Sequence, residues 1–101
     1  MFILLKDEHT LLNVAHIERF DLPNPGEIYA TGPGEGTVEE TGELIFSVEP
    51  TDENFENEAP ICELAFEVWK VLQDFIRADV RIIEMKELER IARSTLGIPE
   101  A

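Results

Sequence analysis

Between about residues 60 and 78 the sequence has the period of an α-helix with an unusually broad apolar face. At about 100° per residue, the apolar residues from Ile61 to Ile76 fill close to half of the helical wheel, and the charged residues form a compact wedge. A helix that packs on one face of a sheet needs an apolar stripe only a little over about 100° wide. The segment is therefore predicted to be covered on two sides, by a sheet and by a second element.

The sequence offers two candidates for this second cover. One is the C-terminal segment, where residues 86–95 predict a short helix with a narrow apolar stripe. The other is a second copy of the chain. Because a helix with a narrow apolar stripe can cover only part of so broad an apolar face, we expect a homo-oligomer, with a dimer favoured. Its interface is assigned to one flank of the long helix, comprising Cys62, Phe66, Trp69 and Ile76.

The N-terminal half predicts β-structure. Short apolar or alternating runs are separated by turn signals such as Pro23-Asn24-Pro25-Gly26. This spacing indicates an antiparallel β-meander of about four to five short strands, packed on the long helix. Residues 80–84 are rich in β-branched side chains and fit either a strand or a helix. The fold class is therefore α+β.

The chain is predicted to be one domain over residues 1–101, an ordinary domain length. Gly97 suits the position just past the end of the C-terminal helix, where a left-handed backbone is common. The predicted parts are a sheet at 1–49, an acidic linker at 50–59 and a helical part at 60–96, in which the long helix covers about 60–78 and the short one about 86–95.

An acidic window without lysine or arginine runs from Phe20 to Trp69, fifty residues that hold thirteen aspartates and glutamates. The whole chain has a net charge of −14. Binding to a nucleic-acid backbone or to an anionic membrane needs clustered Lys and Arg. The charge therefore argues against both ligands. It favours either a solvated face or contact with a basic protein.

Contact with a basic protein defines the alternative function, an acidic inhibitor or nucleic-acid mimic that occupies the basic groove of its partner. This function requires carboxylates that project from one face. Exposed acids are expected to concentrate at about residues 35–58. The predicted acidic partner surface comprises Glu39, Glu40, Glu43, Asp52, Glu53 and Glu56.

One weak calcium candidate lies in the same region. Asp52, Asn54, Glu56 and Glu63 have the spacing of oxygen ligands in an EF-hand loop. The glycine that such a loop needs at its sixth position is replaced by Asn57, and a strand-like segment stands where the entering helix should be. A solvated acidic linker is therefore favoured over a metal site, and no metal or cofactor is predicted.

No other segment carries a specific catalytic motif. His9, His16 and Cys62 are too few and too scattered for a zinc site. The glycine-rich segment at 32–36 includes Pro33 and is followed by no lysine, unlike a phosphate-binding loop. The sequence therefore does not predict an enzyme.

The single cysteine predicts a reduced, cytoplasmic setting. The apolar run at Met1–Leu5 is too short for a signal peptide or a membrane span. The leading prediction is a small non-enzymatic intracellular protein with an interaction or structural role, acting as a homo-oligomer.

Overall fold

The computed structural model describes residues 1–23, 26–32, 42–48 and 58–98, with side chains from Ile61 onward in the last range. These residues form strands in two small sheets, a 3₁₀ turn and two helices, which confirms the α+β class. The elements are β1 (Phe2–Leu4), β2 (Leu11–Asn13), the 3₁₀ turn (Val14–His16), β3 (Arg19–Asp21), β4 (Glu27–Thr31), β5 (Gly42–Ser47), α1 (Glu58–Arg77), β6 (Ile82–Glu84) and α2 (Met85–Leu96).

The strands form two three-stranded sheets. Sheet A has the order β2-β1-β6 and sheet B the order β3-β4-β5. Sheet B is the antiparallel meander that the turn signals predict. In sheet A, β2 pairs with β1 in antiparallel fashion, whereas β6 pairs with it in parallel. The segment at 80–84, which fits either a strand or a helix by sequence, therefore contributes a strand.

The division into two sheets follows from the turn after β2. The side chain of Asn13 accepts a hydrogen bond from the backbone N–H of Ala15 at 2.9 Å. This local bond competes with continued strand pairing, and the chain turns through the 3₁₀ helix before β3. The second edge of β1 is thereby left to β6, whose Ile83 is 1% exposed beside the fully buried Ile3.

One apolar core joins both sheets and both helices. Ile3 and Ile83 enter it from sheet A, and Ile28 and Phe46 enter it from sheet B. Burial of this many large apolar side chains is the main favourable contribution to folding. The helices add Leu64, Ala65, Val68 and Leu72 from α1, and Met85, Leu88 and Ala92 from α2.

The broad apolar face of α1 is covered in part by α2, which packs against it. The C-terminal segment thus supplies one of the two covers that the sequence predicts. α2 ends at Gly97, whose φ of 71° is left-handed, and the N–H of Ile98 donates to the carbonyl of Arg93 at 2.8 Å. On the uncovered side of α1, Cys62 and Phe66 remain exposed.

Candidate interaction surface

The four residues predicted to form the interface lie on α1 with two degrees of burial. Cys62 and Phe66 are exposed, and Phe66 retains 52% of its accessible surface. Trp69 and Ile76 are half-buried and pack against the core. The first two are therefore available to a partner, while the other two also stabilise the fold.

Trp69 anchors α1 to sheet B. Its indole N–H donates a hydrogen bond to the backbone carbonyl of Phe20 at 3.0 Å. Its ring stacks on Phe66, with a centroid distance of 6.0 Å and an interplanar angle of 18°. Stacked aromatic pairs contribute about 0.5–1.5 kcal/mol beyond their buried area. Trp69 thus packs against the exposed Phe66 ring and links it to sheet B.

A shallow groove of about 560 Å³ runs beside Phe66. Its lining includes Leu22, which is 36% exposed. Most of its described lining is apolar, and Glu63 is its charged member: Leu22, Pro23, Gly26, Cys62, Glu63, Ala65 and Phe66. Exposed apolar surface with a polar rim is typical of a protein contact site.

Charged residues lie on both sides of Phe66 along the helix. The Nζ atom of Lys70 is 5.5 Å from the centre of the Phe66 ring and 3.2 Å from a carboxylate oxygen of Glu67. Glu63 is exposed, and within the described part of the chain it makes no ion pair. The exposed aromatic ring therefore has an acid one turn before it and a base one turn after it.

The predicted acidic partner surface can be placed at one residue. Glu43 is exposed on β5. The other members, Glu39, Glu40, Asp52, Glu53 and Glu56, lie outside the described residues. Of the calcium candidate, Glu63 is exposed on α1, and Asp52, Asn54 and Glu56 also lie outside them. Across the described ranges, three or more His, Cys, Asp or Glu side chains do not come together as a metal site.

The described ion pairs show how the charges are compensated. Lys86 pairs with Glu8 at 3.0 Å, and Lys6 pairs with Glu89 at 2.5 Å. Inside the acidic window, Asp21 and Glu67 have basic partners, Arg19 and Lys70. The described window acids Glu27, Glu43 and Glu63 make no ion pair with any described residue. The negative charge of the window is therefore largely uncompensated where the structure describes it.

A second groove, of about 390 Å³, brings His16 and Glu43 to one surface between the sheets. A histidine beside an acid is a common pair in general acid–base catalysis. Both side chains are exposed, and no hydrogen bond or ion pair joins them in the described part of the chain. This groove does not show the positioned nucleophile and base that a catalytic site requires.

The structure also exposes an apolar surface that the sequence analysis missed. Phe2, Leu11 and Ile82 are 38%, 52% and 53% exposed, and all three belong to sheet A. The sequence signal was present, because residues 1–5 and 82–83 are apolar without alternation. A strand of this kind places apolar side chains on both faces of its sheet.

No protein-family model matches this chain, and no significant match was found among the curated proteins or the solved structures. Within the described residues, neither helix is long and apolar enough to cross a membrane.

Proposed function

We propose that this is a small, non-enzymatic cytoplasmic interaction protein that acts as a homo-oligomer, with a dimer as its basic unit. The observation that carries the proposal is Phe66, a large aromatic residue 52% exposed in the middle of an ordered helix surface. Its exposure is not a consequence of local looseness, because Trp69 stacks on it and is itself bonded to sheet B. Ordered, exposed aromatic residues are characteristic anchors of protein interfaces.

A two-fold axis near Phe66 suits the charges around it. If two α1 helices cross in antiparallel orientation, the two Phe66 rings meet at the axis. Glu63 of each copy then faces Lys70 of the other, because these residues lie three before and four after Phe66. A two-fold contact is self-complementary in this way, with each pair formed twice. The apolar wall at Leu22 and Cys62 would cover the rings.

The net charge of −14 opposes this dimer. Each copy repels the other over distances comparable with the Debye length, which is about 10 Å at 0.1 M salt. Raising the salt concentration should therefore strengthen self-association by screening the repulsion. This response distinguishes a dimer from a complex with a basic protein, which salt should weaken.

The test is sedimentation velocity over a concentration series at about 0.05 M and about 0.5 M salt. We expect the unmodified protein to associate more tightly at high salt. Phe66→Ser and Lys70→Glu should each weaken association, and Lys70→Glu combined with Glu63→Lys should restore it. Leu44→Ser is the matched control, since Leu44 is 40% exposed on β5 and lies outside the Phe66 surface. Unchanged association of Phe66→Ser and Lys70→Glu would reject the proposed interface.

The second candidate is an acidic inhibitor or nucleic-acid mimic that binds a basic protein. It is supported by the unpaired acids of the window, of which Glu43 on β5 is exposed. The test is titration with a lysine- and arginine-rich model peptide, using Glu43→Lys as the variant. Peptide binding that weakens as the salt concentration is raised, and that is weaker for Glu43→Lys than for the unmodified protein, would support it. Salt-independent binding would count against it.

A further inference from the structure

The edge strands of the two sheets differ in length. β2 and β6 form the edges of sheet A, and β3 and β5 form those of sheet B. β2, β3 and β6 have three residues each, whereas β5 has six. An edge strand presents unpaired backbone groups to which another strand can bind, and a very short edge presents few of them. Among the described strands, β5 is therefore the edge with the most room for an added strand.

Ser47, at the end of β5, points its backbone groups away from β4. The N–H of Val48 donates to the carbonyl of Gly26 at 3.2 Å, so these two residues are a hydrogen-bonded pair. Antiparallel strands alternate between hydrogen-bonded pairs and pairs whose N–H and C=O groups face outward. Ser47 lies opposite Glu27, the next pair along the two strands. The N–H and the carbonyl of Ser47 therefore face the outer edge of sheet B.

Lys6 occupies this outer position. It lies in the turn after β1, and its Nζ atom donates to the Ser47 carbonyl at 3.3 Å. The same atom lies 2.5 Å from a carboxylate oxygen of Glu89 on α2 and 5.0 Å from the centre of the Phe46 ring. A carboxylate and an aromatic face both favour a cation at this point. α2 and β5 together therefore hold the Lys6 ammonium at the edge of β5, where it lines a groove of about 180 Å³ with residues 44–47.

A β-bulge disturbs the same edge. Ile28 is opposite Phe46 and Tyr29 is opposite Leu44, so Ile45 has no partner of its own in this register. An extra residue of this kind twists the strand and breaks the even spacing of its backbone groups. Bulges and lysines at strand edges both hinder the addition of another strand. β5 carries both devices, and the lysine is the one that a single substitution removes.

We propose that Lys6 guards the edge of β5 and prevents this strand from pairing with β5 of a second copy. An added strand has to replace the Lys6 ammonium at the Ser47 carbonyl with a backbone N–H. The displaced ammonium is then either separated from Glu89 or buried beneath the new strand, and both states are unfavourable for a charge. The guard concerns a sheet edge and not α1, so it does not rest on the proposed function.

The experiment compares Lys6→Met with the unmodified protein by sedimentation velocity at equal concentration and about 0.15 M salt. Methionine keeps an unbranched side chain beside Phe46 but has no ammonium. We expect the weight-average mass to rise about twofold or more, because freed edges join copies in pairs or in longer arrays. Amide hydrogen exchange should become slower at Ser47, whose outward N–H is then paired. Lys86→Met is the matched control, since Lys86 also pairs with an acid, Glu8, at 3.0 Å beside sheet A.

A proline tests whether the association uses this edge. Ser47→Pro removes the outward N–H and leaves the hydrogen bonds to β4 in place, because proline is tolerated at edge positions whose N–H faces solvent. Lys6→Met combined with Ser47→Pro should therefore have the mass of the unmodified protein. Lys6→Met combined with Glu89→Gln is measured alongside, since it leaves no carboxylate without its lysine. Circular dichroism checks that each variant is folded.

Two results support the guard only when they occur together, a rise in mass without Lys6 and its reversal by proline. Unchanged mass in the folded Lys6 variants overturns the guard. A rise that Ser47→Pro does not reverse, or an equal rise in Lys86→Met, also overturns it, because the association then uses another surface or follows from the lost charge alone. The Phe66 contact is judged separately, by the mass of Phe66→Ser in a chain that keeps Lys6.

Discussion

The two sheets share one core but differ in the ion pairs that surround them. Around sheet A, Lys6 and Lys86 pair with acids of other elements, Glu89 and Glu8. Around sheet B, Arg19 pairs with its own strand neighbour Asp21, and the described acids of β4 and β5 make no ion pair with described residues. The two regions therefore differ in the ion pairs that Lys6 and Lys86 form between elements around sheet A, although Glu84 of β6 also makes no ion pair with a described residue.

The two sheets also differ in how far apart their paired strands lie in the sequence. Sheet B is a local meander of consecutive strands. Sheet A joins the first strand of the chain to β6, some eighty residues later in the sequence. Loop closure on this scale costs conformational entropy that local pairing avoids. Sheet A therefore depends on the core beneath it, which sheet B helps to form through Ile28 and Phe46.

The strongest test of this shared core is Phe46→Ala in β5. Phe46 is 1% exposed, and removal of a buried phenylalanine costs about 3–5 kcal/mol. We expect the free energy of unfolding to fall by that amount, and both sheets to unfold in one transition during urea titration. Leu44→Ala is the control in the same strand, with an expected loss below about 1 kcal/mol because Leu44 is 40% exposed. Two separate transitions would show that the sheets are independent units.

A smaller loss is expected at the junction of the two sheets. Glu89 of α2 accepts from Nε of Arg93 at 2.9 Å and pairs with Lys6, whose Nζ also donates to the carbonyl of Ser47 in β5 at 3.3 Å. Arg93 is 4% exposed. Arg93→Ala should cost about 2–3 kcal/mol, since the buried packing of Arg93 is lost and the half-buried Glu89 loses one of its partners.

The control for this variant is Arg77→Ala, measured by the same urea titration. Arg77 forms an ion pair with Asp74 at 3.3 Å, but the side chains are 77% and 71% exposed. Pairs of this kind contribute about 0–1 kcal/mol. Equal losses for the two variants would mean that burial of the Lys6–Glu89–Arg93 cluster adds nothing to its strength.

Gly26, before β4, and Gly97, at the end of α2, both have a left-handed backbone but differ in their surroundings. Gly26 has a φ of 77°, and a Cβ there would overlap Cγ2 of Ile61 on α1. Gly97 has a similar φ of 71°, with open space around it. Gly97→Ala should cost about 1 kcal/mol from the backbone alone, and Gly26→Ala about 1–3 kcal/mol because of the added overlap. Thermal unfolding measures both, and a larger loss at Gly97 would contradict the close packing at Gly26.

Local patterns were sufficient to predict most of these elements. The meander that the turn signals predict is sheet B, and the helical period at 60–78 matches α1 to within two residues at its start. Gly97 ends α2 with the left-handed backbone expected there. These elements were predictable because propensity, period and turn chemistry act within a few residues.

The remaining features depend on pairing between distant residues. Nothing in the sequence near Ile82 indicates that its strand lies beside β1 in parallel. For the same reason the exposed apolar surface of Phe2, Leu11 and Ile82 was missed, since it exists only once β1, β2 and β6 are placed side by side. The interface flank was predicted as one set, but the bond from Trp69 to Phe20 shows that part of it holds the fold together. Helical period alone does not separate these two roles.

The smallest expected effect concerns the turn between β1 and β2. The pKa of Asp7 is lowered chiefly by a hydrogen bond from the backbone N–H of His9, and further by the side chain and backbone N–H of Thr10. These bonds are 2.8, 2.7 and 2.9 Å long. A carboxyl with a lowered folded-state pKa stabilises the fold at pH values above its unfolded value, and this contribution is lost as the pH falls through the folded value.

Asp7→Ala should therefore lower the unfolding temperature at pH 7, and the difference from the unmodified protein should shrink as the pH falls below about 4. Asp7→Asn keeps an acceptor oxygen without the charge, so it should lie between the two at pH 7 and change less with pH. Thermal unfolding followed by circular dichroism from pH 7 to pH 3 measures all three proteins. A pH-independent difference for Asp7→Ala would mean that the turn depends on the shape of the side chain and not on its charge. The charge of Asp7 would then not stabilise sheet A, and the charges around this sheet would stabilise it only through the ion pairs of Lys6 and Lys86.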